Sequence, residues 1–198
     1  MTRYLDKGTY CFGENRKYQL GLGHNQGIKE PTLNPFLESA VQVASGNKHT
    51  VALMSEGVFT WGLNNYGQLG LQAEECKVPT LVEFAGAKWV GCGWYTTLVL
   101  NENNQLYMCG RGDMGQQGSG STSNVPSLNL VLQGVQEVTC GSEHFLAVVN
   151  NELFSWGWNE HGNLGLGSNS NALVPTKVEL GTCTKVYAGA AHSFVLKE

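Results

Sequence analysis

Two sets of glycines keep one period along the whole chain. Gly46, Gly93, Gly141 and Gly189 lie 47, 48 and 48 residues apart, and Gly13, Gly62, Gly110 and Gly157 lie 49, 48 and 47 apart. Independent markers sharing a period identify a repeat protein. Units of this length bury their apolar faces on one another, so all 198 residues read as a single domain rather than two. The clearest copy is 140–167, CGSEHFLAVVNNELFSWGWNEHGNLGLG, with two β-type runs, a tight turn, a Trp-Gly pair and a glycine-punctuated loop.

The rest of the chain varies that copy. FTWGLNNYGQLGL (59–71), FSWGWNEHGNLGLG (154–167), TYCFGENRKYQLGLG (9–23) and the degraded LYMCGRGDMGQQGSG (106–120) are followed by segments marked by Pro79, Pro175, Pro31 and Pro126. The runs at 50–54, 96–100, 145–149 and 193–196 are apolar without alternation, which predicts strands buried on both faces. Ser55-Glu56-Gly57, Glu102-Asn103-Asn104 and Asn150-Asn151 supply turns after the first three. Each unit is thus a small antiparallel sheet, and radial stacking of such sheets gives an all-β propeller of about four blades. The units fall at about 40–85, 86–133 and 134–181, with a shared unit from 182–198 plus 4–39. The first unit starts at its third strand and the last stops after its second, so N- and C-terminal strands are expected to pair in one closing blade; an open arc is the alternative. In the polar stretch 1–9 only Tyr4 and Leu5 are candidates to tuck in.

Composition bounds the function. Only 14% of residues are charged, the net charge is −4 and the basic residues are scattered, which disfavours a nucleic-acid partner. None of the six cysteines sits in a Cys-x-x-Cys spacing; they read as buried free thiols of a reducing compartment. With no signal-peptide pattern and no membrane-length apolar run, the cytoplasm is the expected location and the nucleus the second.

The cassette Trp-Gly-x-Asn-x-x-Gly-Gln-Leu-Gly, preceded by Gly-x-x-His-(Thr/Ser), resembles the repeat of the regulator of chromosome condensation family, and all four units carry it. That family's founding members have seven blades. The stretches 140–162 and 90–100 are locally most similar to its secretion-regulating guanine nucleotide exchange factor and to the fungal alpha-tubulin suppressor, an Elongator-associated killer-toxin-insensitivity propeller. The second resemblance implies a non-catalytic scaffold. Its partner would be the small zinc electron-donor protein that supports diphthamide synthesis and Elongator-dependent modification of tRNA wobble uridines. The alternative is guanine nucleotide exchange on a small GTPase of the Ran type. The founding member does this with a wedge inserted in its repeats, for which the even intervals here leave no room.

Individual residues are weighed against the repeat. His49, His144 and His192 could converge on a metal, but their period favours imidazoles that bond backbone within their own blades. With Gly46, Trp61, Gly62, Gly93, Gly110, Gly141, Trp156, Gly157 and Gly189 they read as architecture, and Phe12, Phe59, Tyr107 and Phe154 are expected in the core. Gly110-Arg111-Gly112-Asp113-Met114-Gly115 matches a dinucleotide fingerprint, yet QQGSGSTSN cannot supply the helix that such a site needs. No catalytic, cofactor or metal residue is nominated, and the chain is expected not to be an enzyme. Trp94 and Trp158 follow repeat glycines where the chain leaves a strand. With Tyr66, Tyr95, Arg111, Glu160 and His161 they are the candidate partner-binding residues.

Overall fold

The computed structural model describes residues 8–197, so Tyr4 and Leu5 lie outside it. Among the described residues every regular element is a β-strand. β1 (Tyr10–Gly13) pairs with β2 (Ile28–Leu33). A first four-stranded sheet contains β3 (Ala40–Ser45), β4 (His49–Met54), β5 (Gly57–Leu63) and β6 (Glu75–Val82). A second contains β7 (Ala87–Cys92), β8 (Thr96–Asn101), β9 (Leu106–Gly110) and β10 (Val125–Leu132). A third contains β11 (Val135–Cys140), β12 (His144–Val149), β13 (Glu152–Gly157) and β14 (Ala172–Val178). The described chain ends with β15 (Lys185–Ala188) paired to β16 (Ser193–Leu196). All pairings are antiparallel between strands adjacent in sequence, as in propeller blades.

Apolar side chains from consecutive sheets meet between the blades. Val51, Val58 and Val82 of the first sheet pack with Val90 and Val99 of the second. Leu98, Leu106 and Met108 of the second pack with Phe145, Ala147 and Trp156 of the third. Strands β4, β8 and β12 are therefore buried on both faces, as their unbroken apolar runs predict. The hairpin from β12 to β13 turns on Asn150 and Asn151, with φ of 50° and 62°, the left-handed pair of a type I′ turn.

Polar links repeat at the same interfaces. The Gln19 carbonyl accepts from Thr50 Oγ1 (2.8 Å) and Trp61 Nε1 (2.9 Å) of the following blade. The Gln68 carbonyl accepts from Thr97 Oγ1 (2.6 Å) and Cys109 Sγ (3.6 Å). The Gln116 carbonyl accepts from Trp156 Nε1 (3.1 Å), and that of Asn163 from Ser193 Oγ (2.7 Å). Buried asparagines hold the loops that present these carbonyls. Asn64 Nδ2 donates to the Leu71 and Ala73 carbonyls while its Oδ1 accepts from Leu69 N, and Asn159 does the same for Ser168, Ser170 and Leu164. Along the inner edge a backbone ladder crosses the blades, from Asn47 N to Trp94 O (2.9 Å), Trp94 N to Ser142 O (2.7 Å) and Ser142 N to Ala190 O (3.3 Å).

Several expectations are corrected. The closing blade is not formed within one chain, because β1–β2 and β15–β16 stay in separate two-stranded sheets. Among the described residues no sheet covers its outer face, so the run at 193–196 alternates in burial instead of being covered on both faces, and Phe194 is 65% exposed. For the same reason Phe12 is 63% exposed, while Phe59, Tyr107 and Phe154 are half-buried rather than core. All six cysteines are free, but Cys11, Cys92 and Cys140 are only partly buried. The histidines reach across blades and not to their own backbone: His49 Nε2 lies 3.0 Å from Thr97 Oγ1, and His144 Nε2 lies 3.0 Å from Ser193 Oγ. His192 is exposed and meets Phe194 edge-on.

The second glycine marker has a steric cause. Gly62, Gly110 and Gly157 adopt φ of 99°, 114° and 97° as the chain leaves the third strand of each sheet. A Cβ at Gly157 would stand against the Glu143 carbonyl, which already accepts from Trp158 N at 2.9 Å. Gly157→Ala is therefore expected to cost about 3 kcal/mol, a fall of roughly 6–12 °C in thermal midpoint. Gly167→Ala, at φ 73° with open space around it, should cost about 1 kcal/mol in the same melting experiment.

Candidate functional site

The inner turns and the loops after the third strands come together on one face of the arc. Each inner turn places a variable residue two positions after the repeat glycine: Lys48, Tyr95, Glu143 and Ala191. The other repeat glycine stands at or next to the end of each third strand, followed by a second variable residue: Glu14, Leu63, Arg111 and Trp158. Across a blade junction the two positions are neighbours. Glu14 pairs with Lys48 at 2.7 Å and Arg111 with Glu143 at 3.0 Å.

Arg111 is the centre of the largest such cluster. Its Nη1 donates to Glu143 Oε1 (3.0 Å) and its Nη2 to Asp113 Oδ2 (2.7 Å). Its guanidinium lies 5.6 Å from the ring centre of Tyr66 and 5.9 Å from that of Tyr95, a cation–π arrangement. The two tyrosine rings are themselves 5.1 Å apart, and Asn47 Nδ2 donates to the Tyr95 hydroxyl at 2.8 Å. Gln116 Nε2 completes the network with bonds to Glu143 Oε2 (2.8 Å) and Asp113 Oδ1 (3.2 Å). Burial pushes the Glu143 carboxyl up, and the Gln116 bond and the Arg111 charge pull it back in part. For Asp113 burial is outweighed by the Arg111 and Gln116 bonds, which hold it below the usual range. Arg111 is kept firmly cationic, first by its bond to Asp113. The guanidinium is thus locked in a partly desolvated setting, with its orientation fixed from both sides.

Beside this network lies a mostly apolar pocket of about 270 Å³, walled by Trp94, Arg111, Met114, Ser142, Glu143 and Trp158, with Ala190 and Ala191 at its end. Trp94 is 50% exposed at its rim. Trp158 is held edge-on by His161, ring centres 5.1 Å apart. Of the residues nominated from the sequence, Trp94, Arg111 and Trp158 share this pocket, and Tyr66 and Tyr95 lie against the Arg111 guanidinium. Glu160 is exposed and forms no part of its wall, and His161 also lines a separate depression with Leu146 and His192. Glu143, Asp113, Gln116 and Met114 were not anticipated. The signal for Glu143 was present, since it is the one acid at a position occupied elsewhere by Lys48, Tyr95 and Ala191. The arrangement offers a fixed cation, two aromatic anchors and a mostly apolar cleft. Those features suit recognition of a protein surface.

The family model described as the RCC1-like domain matches residues 4–195. The secretion-regulating guanine nucleotide exchange factor of Mus musculus is 33% identical over 201 residues, covering 85% of this chain and 43% of the relative. The probable E3 ubiquitin-protein ligase HERC4 of Homo sapiens is 35% identical over 186 residues, covering 86% of this chain and 17% of the relative. Among solved structures, human WBSCR16 superposes with a TM-score of 0.82 at 27% identity, over 96% of this chain and 53% of that one. Yeast RCC1 (Prp20), solved bound to Kap60, superposes with a TM-score of 0.80 at 24% identity, over 93% of this chain and 48% of that one. The chain thus spans less than half the length of these curated relatives. Two of the relatives are named for catalytic activities, nucleotide exchange and ubiquitin ligation, which overturns the expectation that a chain of this kind is not an enzyme. The small zinc electron-donor protein, diphthamide synthesis and tRNA modification find no counterpart among them.

Proposed function

The chain belongs to the RCC1-like domain family, and from that membership we propose that it is a propeller portion of a guanine nucleotide exchange factor for a small GTPase of the Ran type. The observation that carries this reading is the one-third identity to a named exchange factor along most of the chain. The same yeast protein, Prp20p, was also described with its binding to Gsp1p and histones.

Nucleotide exchange suits a site without a nucleophile. The exchange factor forms no covalent bond with its substrate; it needs only to bind the nucleotide-free GTPase more tightly than the nucleotide-bound form. That difference in affinity sets how far release is favoured. The even repeat intervals leave no inserted wedge, so contact would fall to the face carrying Trp94, Arg111 and Trp158. An exposed tryptophan and half-buried aromatic residues around a partly desolvated arginine are the residue types that dominate such interfaces.

The test is release of a fluorescent guanine nucleotide from Ran and from a panel of related small GTPases, with and without the chain. Acceleration of at least one is expected; no acceleration across the panel overturns the reading. Trp94→Ala should leave thermal stability within about 0.5 kcal/mol, because half the side chain is already in water. It should also lower exchange efficiency about tenfold or more. Unchanged exchange would move the docking surface elsewhere on the arc.

A further inference from the structure

A space opens at residue 191 that the repeat fills elsewhere. At two blade junctions the residue after one repeat glycine pairs with the residue two positions after the other: Glu14 with Lys48, and Arg111 with Glu143. The next pair in the series is Trp158 with Ala191. Lys48, Tyr95 and Glu143 hold the place of that alanine in the other units, and each is a long side chain. A methyl group cannot fill the same volume. Ala191 and Trp158 both line the pocket of about 270 Å³ beside Arg111, and both sides of their junction lie within the described residues.

The aromatic walls of this pocket are held from the backbone. Trp94 N donates to the Ser142 carbonyl (2.7 Å), and the Trp94 carbonyl accepts from Asn47 N (2.9 Å). Trp158 N donates to the Glu143 carbonyl (2.9 Å), and the Trp158 carbonyl accepts from Asn163 Nδ2 (2.5 Å). Each main chain is thus anchored at both its polar groups while the indole stays partly in water. A surface ordered before its ligand arrives loses little conformational freedom on binding.

Charge narrows what such a pocket can take. Arg111 is the cation of its wall, and two carboxylates meet it: Nη1 bonds Glu143 and Nη2 bonds Asp113. Both Glu143 oxygens accept, one from Arg111 and one from Gln116, the pattern of an ionised carboxylate. One positive charge against two negative ones leaves the cluster with a net negative charge. Indole faces carry negative potential as well, and tryptophan attracts cations more strongly than other aromatic side chains. A phosphate or carboxylate would be repelled by both, with the terminal nitrogens of Arg111 already bonded to carboxylates. A neutral apolar group would fill the volume and leave the charge unanswered.

We propose that this pocket takes a cationic side chain, lysine or arginine, from the partner protein. The inference rests on the reading that this face docks that partner, and it specifies what the partner presents: a positive charge on an aliphatic stem, set against Trp94 and Trp158. Met114 offers the stem an apolar wall. The same charge balance gives nucleotide phosphates no place here.

Proton–nitrogen correlation spectra of the 198-residue chain, with indole signals assigned through Trp94→Phe and Trp158→Phe, test the pocket without any GTPase. n-Butylammonium and n-butylguanidinium stand in for the lysine and arginine side chains, n-butanol for the neutral stem and butyrate for an anion. At about 10 mM, suited to ligands of so few atoms, one or both cations should shift the Trp94 and Trp158 signals well beyond the shifts from n-butanol or butyrate. Equal shifts with n-butanol, larger shifts with butyrate, or no shift with either cation overturn the proposal. Asp113→Asn, at a half-exposed side chain, should weaken cation binding about fivefold. Ala191→Leu should abolish it by filling the pocket, and undiminished cation binding in both variants also overturns the proposal. Failure here leaves the exchange reading untouched. Cation binding without any accelerated exchange would instead remove the exchange reading and keep the pocket.

Discussion

Replacing Trp156 with alanine should destabilise the chain by about 3–5 kcal/mol, and replacing it with phenylalanine by about 1–3 kcal/mol. The indole is fully buried between two blades, stacked 5.6 Å from Phe145 and packed against Gly118. Its removal leaves a cavity at a seam where neither sheet can collapse independently. The phenylalanine variant isolates the polar part of the loss. At the preceding junctions the loop carbonyl has two side-chain donors, Thr50 with Trp61 and Thr97 with Cys109. At the Gln116 carbonyl the position of those threonines is held by Phe145, so Trp156 Nε1 is the side-chain donor that serves it. Trp61→Phe should therefore cost less than Trp156→Phe, because Thr50 still donates to Gln19. Denaturant melts of the two phenylalanine variants side by side read this difference; equal losses would show that the hydrogen bond contributes nothing beyond packing.

That comparison also shows what could be read from the sequence. The repeat made the blades legible: paired glycine markers, apolar second strands and Trp-Gly pairs each arise from a local requirement that recurs every 47–49 residues. Gly157 is glycine because a carbonyl stands where its side chain would be, and such a requirement leaves a trace at every copy. What the period could not give was anything that depends on two units at once. His49 looks like a residue of its own blade until Thr97 is placed beside it. Arg111 stood among the candidate partner-binding residues, but Glu143 and Asp113 acquire meaning only when the junction brings them to its two faces. The ends fail for a related reason. Their residues follow the pattern of buried strands, yet Phe12 and Phe194 stand exposed in the terminal two-stranded sheets of the described residues. Sequence patterning reports what a residue is suited to contact, and the arc determines whether that contact is supplied.

Acid should unfold this chain well before its carboxylates are exhausted, because two buried histidines are held neutral. Burial lowers His49 to about 4, with the Thr96 backbone opposing it only in part. Burial, aided by the charge of His192, lowers His144 to about 4 as well. The hydrogen bonds explain why neither ring accepts a proton readily. Thr97 Oγ1 gives its proton to the Gln68 carbonyl and Ser193 Oγ gives its proton to Asn163, so each hydroxyl must accept from the histidine Nε2. The incoming proton would go to Nδ1, which faces a glycine and has no hydrogen-bond partner among the described residues. In the unfolded chain both side chains titrate near 6.5, so above that pH they are neutral in both states and stability does not depend on them. As pH falls from 6.5 to 4 the unfolded state binds protons that the folded state refuses, and each histidine withdraws up to about 3 kcal/mol. Glu143 acts in the opposite sense, since its raised value makes protonation favour the folded state, but its shift is the weaker influence. Thermal midpoints measured from pH 7.5 to 4 should fall steeply below 6.5. His49→Gln keeps a donor toward Thr97 and should remove about half of that slope. A slope unchanged in His49→Gln would mean that the folded chain protonates His49 as readily as the unfolded one, and the neutral buried imidazole would be ruled out.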